Sequence, residues 1–369
     1  MLAVSGDNFN MDHLESIQLA LHPNDIRPPY KYWEAMLRRS PDLQHLSLHY
    51  SGPKKQDNAD PASFWPPSPL SRLPPGDLEV QKPRVVALPG LKQLSFTDLE
   101  EDRYACDILE RLLCENLTVL KLGTMEDSGD FTELVELIIG MKTPSFLTAS
   151  SSPSSQTKFP SLSTKIHSPF PNIHSLHTLT LTNFGCSYSS FEALMKSLVG
   201  LKVIDLDFHR LKLTEGTADR KAWKLFVVQT NHLLFQDPSA YHSAVLLPKL
   251  ECFVIQGLPG LHISDIIHSR FRVSHLTRER GPNAQENGPS TQISMPRYVV
   301  SDNGKGRAKD TILDALIKDG GIMIQASSSE DVEKVPVEVK FTVDGEEAED
   351  GEEAEDDDEE EDDDEEDSE

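Results

Sequence analysis

The segment Leu176-His177-Thr178-Leu179-Thr180-Leu181 decides the fold. Its apolar residues are spaced apolar-x-x-apolar-x-apolar, and the last three positions alternate as in a short strand with one buried face. The same spacing occurs at Leu14-x-x-Ile17-x-Leu19, Leu43-x-x-Leu46-x-Leu48, Leu91-x-x-Leu94-x-Phe96 and Leu117-x-x-Leu120-x-Leu122. It returns at Leu201-x-x-Ile204-x-Leu206 and Leu250-x-x-Phe253-x-Ile255. One copy is common in any leucine-containing chain, but seven copies in order define an internal repeat.

The first positions of successive copies are 29, 48, 26, 59, 25 and 49 residues apart. Three gaps fit one leucine-rich repeat of about 20–29 residues, and the other three are about twice that length, so they carry extra loop material. Helical periodicity fills several gaps: Tyr32-Trp33-x-x-Met36-Leu37, Ile108-Leu109-x-x-Leu112-Leu113, Phe191-x-x-Leu194-Met195-x-x-Leu198 and Trp223-x-x-Phe226-Val227. Spacing of i, i+3, i+4 puts each set on one helix face. The expected fold is therefore α/β: an irregular leucine-rich-repeat solenoid with a parallel sheet on its concave face and helices on its convex face. The Asn or Cys that many such repeats place after the strand is mostly missing; His22 and Ser51 occupy that offset in the first two copies, and Asn183 falls one position early.

Composition divides the rest of the chain. Residues 1–277 hold the repeats, with insertions at 51–90 and 143–170. The first is proline-rich (Phe64-Trp65-Pro66-Pro67-Ser68-Pro69, Leu73-Pro74-Pro75-Gly76) and reads as a loop. Its Pro66–Pro69 spacing is also that of a polyproline ligand. The second is rich in Ser, Thr and Pro, with Ser152 and Ser168 each preceding proline. Residues 278–295 read as a linker and 296–343 as a capping segment. The cap comprises a strand at Arg297-Tyr298-Val299-Val300, a short helix at Thr311–Ile317, extended chain at Gly320–Ile324 and an edge strand at Val335–Phe341.

The chain has 35 Lys and Arg against 61 Asp and Glu, a net charge of −26. Residues 346–369 supply 20 of the acids and no base, so the remainder carries only −6. Residues 344–369 are thus expected to be a disordered acidic tail, serving either to solubilise the chain or to attract basic proteins. Without a surplus of cations to neutralise phosphates, nucleic acid is not an expected partner. No run of 18 apolar residues is present, so no membrane span is expected, and the first residues lack the pattern of a secretion signal. Cys106, Cys114, Cys186 and Cys252 form no CxxC pair and read as reduced, partly buried thiols of a cytoplasmic or nuclear protein.

No catalytic constellation stands out, so no enzyme, metal or cofactor is expected. Gly304-Lys305-Gly306-Arg307 lacks the flanking order of a phosphate cradle and reads as a turn. His45 and His49 share a strand face but lie roughly 13 Å apart along it, too far to share a metal. His174 and His177 face opposite ways. Asp205 and Asp207 share a face without a visible perturbing partner. What remains is the outward side of the strands, where Gln18, His45, Ser47, His49, Gln93, Ser95, Thr97, Lys121, Thr178, Thr180, Thr182, Asp205, Asp207 and Gln256 form a small-residue polar face. These are either partner-binding or simply solvated strand positions.

The run from Trp33 to Leu48, with Ser40-Pro41-x-Leu43-x-x-Leu46-x-Leu48, resembles fungal F-box proteins with divergent leucine-rich repeats. So do Ser190–Leu206, Ile263–Arg270 and Leu313–Ile324, and the similarity covers about residues 11–325. It implies a substrate-recruiting role in a cullin-based ubiquitin ligase, in which an F-box docks on a Skp-type adaptor and the repeats hold a protein substrate. Only ten residues precede Met11 here, so the F-box itself is expected to be missing, and the adaptor is a partner only if an F-box lies upstream. Repeats followed by an acidic tail also resemble the acidic leucine-rich nuclear phosphoproteins, which implies basic partners such as histones. That family has the Asn ladder this chain lacks.

Overall fold

The computed structural model describes residues 13–55, 65–66, 85–97, 102–124, 129–141, 168–214, 221–228, 245–279, 295–301 and 324–327. Each of the seven repeat copies supplies one strand: β1 (Ser16–Ala20), β2 (His45–His49), β4 (Gln93–Thr97), β6 (Val119–Gly123), β7 (Thr178–Thr182), β9 (Val203–Asp207) and β11 (Cys252–Gln256). With β12 (Arg297–Ser301) and β13 (Ile324–Ser327) they form a nine-stranded sheet in chain order, β1-β2-β4-β6-β7-β9-β11-β12-β13. Every pair is parallel.

The register never slips. Ile17, Leu46, Leu94, Leu120, Leu179, Ile204 and Phe253 lie opposite one another across the sheet, and so do Leu19, Leu48, Phe96, Leu122, Leu181, Leu206 and Ile255. Apart from the edge residue Leu19, these side chains are buried. A recurring backbone contact sets the spacing at the strand entrances. The N–H groups of Lys92 and Gln93 share the carbonyl of Gln44, those of Thr118 and Val119 share Lys92, and those of His177 and Thr178 share Thr118. Lys202 and Val203 repeat this on His177, and Glu251 and Cys252 on Lys202; Arg297 then bonds Glu251. Thus Met295-x-x-Tyr298-x-Val300 occupies a repeat position with no leucine in it. Of the extended chain expected at 320–324, Ile324 opens β13 and the rest lies outside the described residues; β12 and β13 prolong the sheet. The expected helix at 311–317, the strand at 335–341, the turn at 304–307 and the acidic tail lie outside the described residues.

Helices α1 (Tyr30–Arg38), α2 (Asp102–Leu109), α3 (Thr132–Ile138), α4 (Tyr188–Ser197) and α5 (Gly260–Glu279) cover the leucine-lined face. Trp33, Leu37, Ile108, Leu134, Phe191, Leu194 and Ile266 join the strand residues in one core cluster. The expected helix through Leu112-Leu113 ends at Leu109. Those two residues form β5, which pairs in parallel with β3 (Val86–Ala87), and Arg111 at the break donates to the carbonyls of Asp107 and Pro66. A second small pair joins β8 (Gly185–Ser187) to β10 (Lys212–Thr214). Trp223–Phe226 lies in a 3₁₀ turn, Ala222–Phe226, rather than a full helix.

The insertions contribute to the core where they are described. Trp65 is buried against Tyr30, with ring centroids 4.8 Å apart, beneath the Arg111 guanidinium at 5.1 Å. Its Nε1 donates to the Lys54 carbonyl at 2.7 Å. The Pro66 carbonyl at the start of the Pro66–Pro69 motif is already engaged by Arg111. Ser168, Pro169 and Phe170 close the second insertion: Cys114 N–H donates to Pro169, and Phe170 is buried.

After β1, β2, β7 and β11 the turn reverses through a left-handed residue two positions past the last inward side chain: Leu21, Tyr50, Asn183 and Gly257. Side chains bridge neighbouring turns, with His22 Nδ1 2.8 Å from Ser51 Oγ and Asn183 Nδ2 donating to Thr124 O. These pairs stand in for the missing Asn ladder. At Gly257 both backbone and space are restricted: φ is +68°, and a Cβ there would clash with His209 Cβ and lie 2.8 Å from His209 N. Gly257→Ala is expected to lower stability by more than about 1 kcal/mol, read as a lower midpoint in urea denaturation with an unchanged slope.

Candidate functional face

The sheet face opposite the core carries all fourteen polar positions singled out above, and the register sorts them into three rows. His45, Gln93 and Thr178 share the first row with Ser16, Val119, Val203 and Cys252. Gln18, Ser47, Ser95, Lys121, Thr180 and Asp205 run along the middle row toward Val254. His49 lies opposite Thr97 in the third row, Thr182 opposite Gly123, and Asp207 opposite Gln256. Period-2 alternation produces this arrangement: once the leucines are buried, each intervening residue must face the other way.

From β1 to β7 the rows are mostly polar, with Val119 the apolar side chain of the first row. His49 Nδ1 lies 2.9 Å from Thr97 Oγ1, so part of this surface is tied together across strands. Thr178 and Thr180 are half-buried and Thr182 is exposed. Lys121 is the cation of the middle row, two strands from Asp205.

The two aspartates behave differently. Asp207 is 6% exposed, and its Oδ1 accepts from the backbone N–H of His209 at 3.0 Å and of Arg210 at 3.3 Å. Its carboxylate therefore closes the turn after β9. Asp205 accepts a hydrogen bond from Gln256 Nε2 at 3.0 Å. Burial pushes its carboxyl above the usual carboxylate range; the Gln256 bond opposes this, the Asp207 charge adds to it, and Lys121 opposes it again.

Among the described residues, no group of three or more His, Cys, Asp or Glu side chains is placed to hold a metal. His45 and His49 sit in different rows of the same face, while His174 lies in a 3₁₀ turn (Ile173–Ser175) ahead of β7. All four cysteines are free and buried, and burial pushes the Cys114 and Cys186 thiols up to about 12. A cavity of about 340 Å³ lies elsewhere, between Phe208, Leu211, Trp223, Leu258 and His262, with Trp223 stacked on His262 at 4.1 Å. No helix among the described residues is long and apolar enough to cross a membrane.

Two features escaped the sequence reading. Arg27 is buried, donates to the carbonyls of His22 and Tyr50, and lies over the Tyr50 and Tyr104 rings, binding the first two turns together. No local pattern marks it. The second is the apolar end of the face, Cys252, Val254 and Val299. Its signal was present: Cys252-Phe253-Val254-Ile255 and Tyr298-Val299-Val300 are unbroken apolar runs, as in strands covered on both faces.

No protein-family model matches the chain, and no curated protein matches it at a significant level.

The raised Asp205 carboxyl has a sign that stability measurements can read. Where folding raises a carboxyl pKa, the stability it contributes is full below the unfolded value and is lost as pH rises through the folded one. Asp205→Asn keeps an acceptor for Gln256 and removes the charge. It is expected to raise the urea midpoint at pH 7, and the gain should shrink to nothing by about pH 3, where the wild-type carboxyl is protonated in both states.

Proposed function

We propose that this chain is a non-catalytic protein-interaction module, an irregular leucine-rich-repeat solenoid whose sheet forms a concave face that holds an extended segment of a partner protein. The observation that carries the reading is the set of three in-register rows of small polar side chains. Thr, Ser, Gln and His on a rigid sheet offer closely spaced donors and acceptors with little side-chain entropy to lose. Each repeat contacts only its neighbours, which suits a long binding surface rather than a single deep pocket.

The resemblance to F-box proteins with divergent repeats favours a ubiquitin-ligase substrate as the bound protein. Adaptor docking would depend on an F-box joined to these repeats. The acidic segment 346–369 offers a separate, charge-driven contact for basic proteins, whose affinity would fall steeply with salt.

A photo-reactive residue at Thr180, on the polar face, is compared with one at Tyr32, which is 59% exposed on α1. The expected result is cross-linking of a discrete partner from position 180 and not from 32, lost when Thr178→Arg is added and retained when residues 344–369 are removed. Cross-linking that persists in the Thr178→Arg chain, or that requires the tail, would refute the binding-face reading.

A further inference from the structure

The cavity of about 340 Å³ lies at the carboxyl ends of β9 and β11. Phe208 directly follows β9, and Leu258 stands two residues past β11. With Leu211 and Leu213 they give the cavity apolar walls. Trp223, which also lines it, stacks on His262 with ring planes 14° from parallel. The 3₁₀ turn that carries Trp223 is fastened on two sides. Its Phe226 is buried against Phe253, with ring centroids 5.0 Å apart, and Val228 N–H donates to Ser269 Oγ of α5 at 3.1 Å. The Phe208 N–H donates to the Gln256 carbonyl at 2.9 Å. These contacts hold the walls in place, as in a preformed binding cavity.

The charge around the cavity has one sign. Among the described residues that line it are Lys221 and His262, and no carboxylate. Lys221 is exposed, and a second exposed lysine, Lys224, has its Nζ 6.0 Å from the Trp223 ring centroid. Asp207, next to Phe208, has its carboxylate engaged by the N–H groups of His209 and Arg210 and lies 3.8 Å from Arg210 Nε. Asp265, one turn along α5 from His262, is exposed and does not line the cavity. In addition, Trp223 Nε1 and His262 Nδ1 are buried with no hydrogen-bond partner among the described residues. Buried polar atoms left unpaired call for a partner. The aromatic walls favour a ring as guest, and the lysines favour negative charge beside it.

We propose that this cavity receives an aromatic side chain of a partner protein, presented between acidic residues. The ring lies among Phe208, Leu211 and Trp223, the flanking carboxylates pair with Lys221 and Lys224, and an acceptor of the bound segment meets the Trp223 indole N–H. The cavity adjoins the third row of the polar face at Asp207 and Gln256, so a segment lying on β9 and β11 could reach it with one side chain. The proposal rests on the reading of the chain as a protein-interaction module. It is tested separately, because cross-linking from Thr180 reads the sheet face and uses no residue of the cavity.

The three tryptophans make the test selective. Trp33 and Trp65 are buried in the core, whereas Trp223 lines the cavity. The full chain labelled with 5-fluorotryptophan gives one fluorine resonance for each, and Trp223→Phe identifies the third. The probes are the capped tripeptides Glu-Phe-Glu, Glu-Ala-Glu and Lys-Phe-Lys. Glu-Phe-Glu is expected to shift the Trp223 resonance saturably and leave Trp33 and Trp65 unmoved, with the other two peptides at least about tenfold weaker. Lys221→Glu changes an exposed side chain, so the Trp33 and Trp65 resonances should stay in place while Glu-Phe-Glu binding falls about fivefold or more. No saturable shift at Trp223, equal binding of the three peptides, or unchanged Glu-Phe-Glu binding in the Lys221→Glu chain would each overturn the proposal.

Discussion

The structure depends on one constraint, the unshifted parallel register of its strands. Each strand buries one set of side chains, so a slip of one residue would turn two leucines per strand into water and bring polar residues into the core. The shared carbonyls at the strand entrances, from Glu15 through Lys202, hold that register. Left-handed residues at Leu21, Tyr50, Asn183 and Gly257 then reverse the chain at the opposite end. Because the strands are held to their neighbours at these contacts, the connections between them can vary widely in length. Loop-closure entropy rises only slowly with loop size, which explains how gaps of 25 and 59 residues coexist in one sheet.

Buried cations hold the variable parts against this frame. Arg27 and Arg111 each bond backbone carbonyls and lie against aromatic rings, and Arg270, 2% exposed, donates to the carbonyls of Leu246 and Leu247. These are charge-assisted bonds to the backbone, so they order irregular chain that has no strand or helix of its own. Trp65 does similar work from the apolar side, anchoring an otherwise proline-rich insertion.

Much of the fold was legible in the sequence because period-2 alternation and helical spacing are local signals. All seven leucine-bearing strands, α1 and α4 could be read that way. The pairs β3–β5 and β8–β10 could not, since each is defined by a partner 26 or 27 residues away in register: Val86 with Leu112, and Gly185 with Lys212. The periodicity of Ile108 to Leu113 suits a helix, and a distant partner strand overrode it at Leu112. Similarly, alternation placed Asp207 on the polar face but gave no sign that its carboxylate is occupied by the next turn. Tyr298 and Val300 hid a repeat position because its inward residues are not leucines. The apolar runs of β11 and β12 carried a local signal of burial on both faces that the alternation-based reading passed over.

The polar face is thus a consequence of the register, and its meaning rests on the register being correct. The most direct measurement compares Leu179→Asp with its neighbour Thr180→Asp by urea denaturation. Leu179 is fully buried and Thr180 half-buried. The account predicts a loss of about 4 kcal/mol or more, or failure to fold, for Leu179→Asp, and a change within about 1 kcal/mol for Thr180→Asp. Comparable losses at both positions, or the greater loss at Thr180, would contradict it.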